Sequence, residues 1–474
     1  MNKIRKVSVL FFSLILVLSG CISSAPDENK KNQKKIVYVE EDEIIYHYNT
    51  DKQNPDNSTN SDGSNNTGNN TDASEDFKPI STGQWKQDRF YLAAAVSPVT
   101  YEGIKLYKEV GYNLTSFGFT YGNDELMNGA RNLNKVGGVY LLVKNGFLFT
   151  GGKVPVTEKS IRNMIYDYNE AVPDGWIIGY DIWDEPILSE DFFTKSYNMM
   201  NLIDKYDPNS LKWFNLLPSY GVYDWSENEV DNAFGETGYE AYVEEFVQKI
   251  KPQVLSLDYY PYLVSQAGET GDWFRDMGLF RKVSLKYNTP FWYYYQITSI
   301  NNEPKPTNDE IRYQMYVGLA YGAKCLYGWV CDSVNDAGEK SATFNETKLR
   351  NAEIMPLGEY LLDKTTTEIY HTGAAAAPNY VKNFYLDDLS KSQLIDSAPE
   401  SLIISVFEDG NTDTKYMLVV NKNTSNGVHG KLNLKVDKNI SKFNKVANSE
   451  DFIGNGKSID LDINAGGGEL YILK

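Results

Sequence analysis

The chain has 474 residues, with 64 acidic against 46 basic side chains and a formal charge of -18. That balance disfavours binding to nucleic acid or to an anionic membrane through surface charge, and a neutral partner fits better. The length exceeds one ordinary domain, although an α/β barrel uses about 250 to 300 residues as a single unit, so two domains plus tails is the expectation.

The first segment reads as a leader. Lys3, Arg5 and Lys6 form a basic start, Val7 to Leu18 an apolar core, and Leu18-Ser19-Gly20-Cys21 closes it. The core is shorter than the ~20 residues that a membrane-spanning helix needs. Small residues before a cysteine resemble a bacterial lipoprotein signal, which implies removal of residues 1–20, lipidation of Cys21 and an extracytoplasmic chain anchored through that lipid. Residues 21–83 follow as a tether. IVYVEEDEIIYHY (36–48) has the composition of a strand or a sticky patch, whereas NSTNSDGSNNTGNNTD has too few apolar residues to bury a core.

From 84 to 370 apolar runs alternate with amphipathic segments: YLAAAV (91–96), YNLTSFG (112–118), GVYLLV (138–143), WIIGYDIW (176–183), KWFNLL (212–217), VLSLDYY (254–260), PFWYYYQ (290–296) and KCLYGWV (324–330). Strands separated by stretches long enough for a crossover helix predict a (β/α)8 barrel. Several runs are apolar on both parities, as a strand between barrel interior and helices must be. Thr307, three residues before Glu310, predicts a capping box opening a helix that runs to about Tyr321. Residues 371–474 change period. SLIISVFED, KYMLVVNKN, GKLNLKV, KSIDLDI and GELYILK are short strands between Gly, Asn and Asp turns, which predicts an antiparallel β-sandwich.

Cys325 and Cys331, six residues apart in one predicted strand, would stand about 20 Å apart, beyond the ~7 Å that a disulfide spans, and read as buried thiols. The histidines are His47, His371 and His429, all outside the predicted barrel. A Ser-His-Asp site, a Cys-His nucleophile and a histidine-bound zinc are therefore disfavoured in the barrel, and no metal or cofactor is expected. Gly137-Gly138 and Gly466-Gly467-Gly468 lack the context of a phosphate-binding loop.

Barrel chemistry sits at the carboxyl ends of the strands. There the fourth run ends in Asp181, Trp183, Asp184 and Glu185, and the sixth in Asp258. By alternation Glu185 should share an inward face with Trp183, Asp181 and Gly179, and Asp258 with Ser256 and Val254, leaving Leu255 and Leu257 for the helices. Carboxylates in an aromatic-rich mouth suit glycosidic bond cleavage. Aromatic residues in strands also serve the core; Trp183, Tyr260 and Trp329 are singled out as sugar platforms. Glu190 and Asp191 suit the start of the next helix.

Trp183-Asp184-Glu185-Pro186 resembles the Trp-x-Asn-Glu-Pro tip of barrel glycoside hydrolases in the clan of the β-galactosidases and cellulases. RYQMYVGLAYGAKCLYGWV and KYMLVVNKN are similar to the eighth helix-strand unit and the carboxy-terminal β domain of family 42-like members. The resemblance implies a retaining hydrolase acting on a carbohydrate, with Glu185 as acid/base. The pattern departs from the clan in three places. Gln296 stands where the nucleophilic glutamate belongs, Asp184 replaces the usual Asn, and NLTSFG lacks the usual arginine. Three repairs remain open: Asp258 is the second carboxylate; Asp184 and Glu185 work as a pair resembling hexosaminidases that use the substrate's 2-acetamido group; or the site binds glycan without cleaving it. Glu303, in the loop after Gln296, reads more plainly as a solvated loop residue than as a displaced nucleophile, and Asp181 and Gln296 join Trp183, Tyr260 and Trp329 as candidate substrate-binding groups.

Overall fold

The computed structural model describes residues 85–118, 122–144, 157–223, 238–263, 270–300, 304–335, 337–373 and 385–474. The leader with Cys21, the tether with His47, and Glu303 lie outside these residues. Among the described residues no helix is long and apolar enough to cross a membrane.

Eight parallel strands close into a barrel in chain order: β1 (Tyr91–Ser97), β2 (Leu114–Phe117), β3 (Tyr140–Val143), β4 (Ile177–Asp184), β5 (Leu211–Leu216), β6 (Leu255–Asp258), β7 (Phe291–Gln296) and β8 (Ala323–Trp329). Between them run α1 (Tyr101–Glu109), α2 (Asn123–Val136), α3 (Glu158–Ala171), α4 (Glu190–Tyr206), the short α5 (Ser219–Tyr223), α6 (Gly238–Ile250), α7 (Thr270–Tyr287) and α8 (Asn308–Ala320), and α9 (Phe344–Tyr360) follows β8. The (β/α)8 expectation holds.

Local signals explain where the helices begin. The hydroxyls of Thr100, Thr157, Ser189 and Thr307 accept from the backbone N–H groups that open α1, α3, α4 and α8. At α8 the Glu310 carboxylate also accepts from Thr307 N at 2.7 Å, completing the expected box. Glu190 and Asp191 occupy the first turn of α4, where the helix dipole favours them.

The doubly apolar strands serve two cores. Tyr91, Ala93, Leu142, Trp213, Val254, Trp292, Tyr294, Cys325 and Tyr327 fill the barrel, while Leu92, Ala94, Leu141, Leu255, Leu257, Tyr293 and Leu326 pack against helices. Tyr294 and Tyr327 stack at 4.3 Å, Trp213 lies 5.8 Å from Tyr294, and the Tyr327 hydroxyl donates to Ser116 Oγ at 2.6 Å. These rings floor the mouth. Cys325 and Cys331 are free thiols, the first buried and the second half-buried.

The carboxy-terminal strands β9 (Thr365–His371), β10 (Ile395–Ser397), β11 (Leu402–Glu408), β12 (Lys415–Asn421), β13 (Val428–Asn444), β14 (Ser449–Ile463) and β15 (Gly468–Leu473) form one antiparallel sheet in the order β10-β13-β15-β12-β11-β9, with β14 paired to β13. It curls around its own core of Leu402, Ile404, Met417, Val419, Leu432, Ile459 and Leu461, a sandwich-like domain as expected. The sheet packs on α8. A Cβ on Gly467 would lie 2.7 Å from the Arg312 guanidinium and one on Gly468 2.6 Å from the Tyr316 ring, so the glycine run that lacks phosphate-loop context is an approach point between domains.

Glu353 of α9 is the hub of that contact. It accepts from Arg312 Nε at 2.8 Å, from the Tyr316 hydroxyl at 2.6 Å and from Lys445 Nζ of the sheet at 3.1 Å. Lys445 also donates to Gly468 O at 3.0 Å. Burial raises the carboxyl, but Arg312 and Lys445 outweigh it and hold Glu353 at about 2. His371 of β9 reaches the barrel's outer layer, 3.1 Å from the Tyr321 hydroxyl, and His429 pairs with Asp462 on the sheet surface, so neither is at the mouth.

Candidate active site

The tip of β4 departs from simple alternation. Asp181 pairs with Trp213 and Trp183 with Phe214, so two residues of β4 pass one step of β5, and Asp184 then pairs with Asn215. This bulge inverts the parity. Trp183 therefore does not share the inward face with Asp181, as the two-residue count predicts; its ring meets Phe192 of α4 edge to face at 4.9 Å. Asp184 turns inward instead and accepts from Asn215 Nδ2 at 3.1 Å.

Glu185 follows with φ of +51°, a left-handed backbone that non-glycine residues rarely adopt. Its N–H donates to Asn215 O at 2.8 Å, and the next carbonyl, of Pro186, accepts from the Tyr242 hydroxyl at 2.9 Å. Strain of this kind costs about 1–3 kcal/mol and persists only when surrounding bonds impose it. Here it carries the Glu185 carboxyl into direct hydrogen-bond contact with Asp258 of β6.

Asp258 is buried and sits where alternation places it. Ser256 and Val254 lie on its side, Leu255 and Leu257 on the helix side. Asn215 clamps the group, donating from one amide nitrogen to Asp184 and to Asp258, both at 3.1 Å, while its own oxygen accepts from Ser256 Oγ at 2.9 Å. Two carboxylates, from β4 and β6, thus meet on one amide, and the Glu185 carboxyl joins them through Asp258.

Burial and the anions of Asp258 and Asp184 push the Glu185 carboxyl well above the usual carboxylate range. Burial and Asp184 also raise Asp258, to about 7, against the hydrogen bonds from Glu185 and Asn215 that favour its anion.

A cation missed in the sequence closes the cluster. Lys144, just past the carboxyl end of β3, lies 3.3 Å from Asp181, and both side chains are almost completely buried. Burial would discharge the ammonium, but Asp181, Asp184 and Asp258 hold it charged and raise it. Asp181 is lifted to about 7 by burial, against the pull of Lys144. The signal was present in GVYLLVK, since Lys144 obeys the same strand-end rule as Asp184.

Gln296 is fully buried at the end of β7, on the inward parity of Trp292 and Tyr294. Its Oε1 accepts from Tyr262 N at 3.3 Å and its Nε2 donates to Thr298 O at 3.3 Å, while Gln314 of α8 holds its backbone N–H at 2.9 Å and its carbonyl at 3.0 Å. The side chain ties two loops together. Trp329, half-buried at the end of β8, is in register with Gln296 and packs on the interior cluster. Tyr260 is half-buried just past β6; Asp258, Glu185 and Asp184 add to burial in raising its phenol, which places it beside the carboxyl cluster.

The Tyr294 ring belongs to the barrel floor, stacked on Tyr327, to which its buried hydroxyl is hydrogen-bonded. Asp184, Asp181 and Tyr260 act on it electrostatically. Among the described residues no group of three or more His, Cys, Asp or Glu is arranged to hold a metal ion.

No family model and no curated protein matches the chain. Solved structures do match its fold. A GH42 β-galactosidase aligns with a TM-score of 0.54 at 7% identity, over 82% of this chain and 99% of the other. A β-galactosidase from Bacillus circulans aligns with a TM-score of 0.50 at 9% identity, over 81% and 99%. The chain has the barrel-plus-β-domain scaffold found in these glycoside hydrolases.

Proposed function

We propose that the protein is a glycoside hydrolase in which Glu185 is the general acid. The observation that carries this is the Glu185 carboxyl at the barrel mouth, held against Asp258 and pushed well above the usual carboxylate range by burial and that neighbour. Protonating a leaving sugar oxygen near neutral pH requires a carboxylic acid kept uncharged, and burial beside a like charge achieves that. A glycosidic oxygen entering the mouth would replace Asp258 as acceptor of that proton. Asp258 would then face the oxocarbenium-like charge as an anion. Tyr260 and Trp329, half-buried beside the cluster and at the rim, offer surfaces to a sugar ring.

The experiment is a screen of glycans and aryl glycosides with product analysis, comparing the native protein with Glu185→Gln. A loss of about 10²–10⁴-fold in turnover is expected, the usual worth of a general acid. Full turnover by the variant would exclude the assignment. The engaged amide of Gln296 favours a second reading, a glycan-binding protein on a hydrolase scaffold; retardation in affinity electrophoresis with no released sugar would support it. The leader motivates a placement outside the cytoplasm on a lipid attached to Cys21, which Cys21→Ala tests, because the protein would then leave the membrane fraction.

A further inference from the structure

Asn215 occupies the middle of the carboxyl cluster, and register puts it there. This residue of β5 lies opposite Asp184 of β4 on one side and opposite Ser256 of β6 on the other. The bulge in β4 makes the first of those pairings, since unbroken counting from Asp181 and Trp213 would set Trp183 against Asn215 instead. Asn215, Ser256 and Asp258 are all buried, so their polar atoms must find partners within the protein.

A primary amide has two N–H donors and a carbonyl acceptor, and Asn215 uses both ends. Nδ2 donates to Asp184 Oδ1 and to Asp258 Oδ1, both at 3.1 Å, while Oδ1 accepts from Ser256 Oγ at 2.9 Å. Turned over, the amide would set its oxygen against two carboxylates; Ser256 holds it in the orientation that presents the nitrogen. The backbone carbonyl of the same residue accepts from Glu185 N at 2.8 Å, at the position with φ of +51°. Asn215 therefore touches all three acidic residues, but in two different ways. Asp184 and Asp258 receive donors on their carboxylates, whereas Glu185 is held only by its main chain. A donor to a carboxylate favours the anion, so the group that Asn215 leaves without one is the group left to carry a proton.

We propose that Asn215 is the positioning residue of this site: by giving one amide hydrogen to Asp184 and one to Asp258 it keeps both as anions and leaves the proton on Glu185. This rests on the reading of Glu185 as general acid and names the residue that selects it among three neighbouring carboxyls. The other titratable groups that face Glu185 do not compete for the proton. The phenols of Tyr220 on α5, Tyr242 on α6 and Tyr260 past β6 are all raised by burial and stay neutral. Lys144 past β3 stays cationic beside Asp181.

The test needs no substrate. The infrared carboxyl band of the whole protein, grown with isotope-labelled glutamate or with isotope-labelled aspartate, is followed against pH, and the Glu185 component is assigned by its loss in Glu185→Gln. In the native protein Glu185 should stay protonated past neutral pH. Asn215→Ala should lower its titration by about 1–2 pH units, the worth of a hydrogen bond to a charged group, and a protonated aspartate should appear in its place. Ser256→Ala, which frees the amide to turn, should move Glu185 in the same direction by less, and it decides the matter where Asn215→Ala does not fold. Thermal unfolding recorded alongside separates a purely structural role, which would lower stability and leave the Glu185 titration where it was. A raised Glu185 that neither variant moves overturns the role of Asn215 and leaves the acid assignment standing. A Glu185 that titrates in the ordinary carboxylate range in the native protein overturns the acid assignment itself.

Discussion

Replacing Glu353 by Gln should loosen the barrel from its β domain by an amount that depends on pH. The carboxyl sits at about 2 in the fold against an ordinary value of 4.5, because Arg312 and Lys445 outweigh its burial. A lowered folded value adds stability that is present above the unfolded value and is lost as pH falls through the folded one. At 1.36 kcal/mol per unit, the 2.5-unit gap (4.5 minus 2) is worth about 3 kcal/mol at pH 7. The same two values leave about 1.4 kcal/mol at pH 3. Glu353→Gln keeps the size of the side chain and an oxygen for the Tyr316 hydroxyl, so it removes chiefly the ionic part. The assay is urea unfolding of native and variant protein at both pH values, followed by tryptophan fluorescence. Loss should be largest at pH 7 and shrink by roughly half at pH 3. Lys445→Met should add little to the Glu353→Gln loss, since the two share one interaction. Equal destabilisation at both pH values would refute the ionic account of the domain contact.

At the mouth, Asp258→Asn removes an anion that raises Glu185, so Glu185 should lose its proton at lower pH and the alkaline limb of the pH dependence of kcat/KM should move toward acid. An unmoved limb would mean that another group sets it. Lys144→Met removes the cation that pulls Asp181 down, so the buried carboxyl should hold its proton to a pH above its present value of about 7, and the substitution should cost more at pH 8 than at pH 6. Adding Asp181→Asn should flatten that pH dependence, both read from thermal unfolding. Gln296→Glu sets a carboxylate oxygen against the Thr298 carbonyl in place of the present N–H donor; a loss of about 1–3 kcal/mol is expected at neutral pH, relieved in acid, with no gain of a working nucleophile.

Much of this architecture is local chemistry and could be read along the chain. Strands apolar on both parities had to lie between two cores, and β6 placed Asp258, Ser256 and Val254 inward as alternation requires. Thr307 and Glu310 announced α8, and the tip of β4 announced its carboxylates. The glycine run at 466–468 was noted as no phosphate loop, but its packing against Arg312 and Tyr316 joins segments far apart in the chain.

What escaped the sequence was set by neighbours distant along it. The bulge that turns Trp183 to the helices and Asp184 to the mouth exists only in register with β5, and a count by twos along one strand has no access to that register. Whether Gln296 was free or engaged depended on the backbones of Tyr262 and Thr298. Residue types and strand ends determined which groups could do chemistry here. Folding decided which of them hold a proton, because that follows from burial and from charges brought within a few ångströms by different strands.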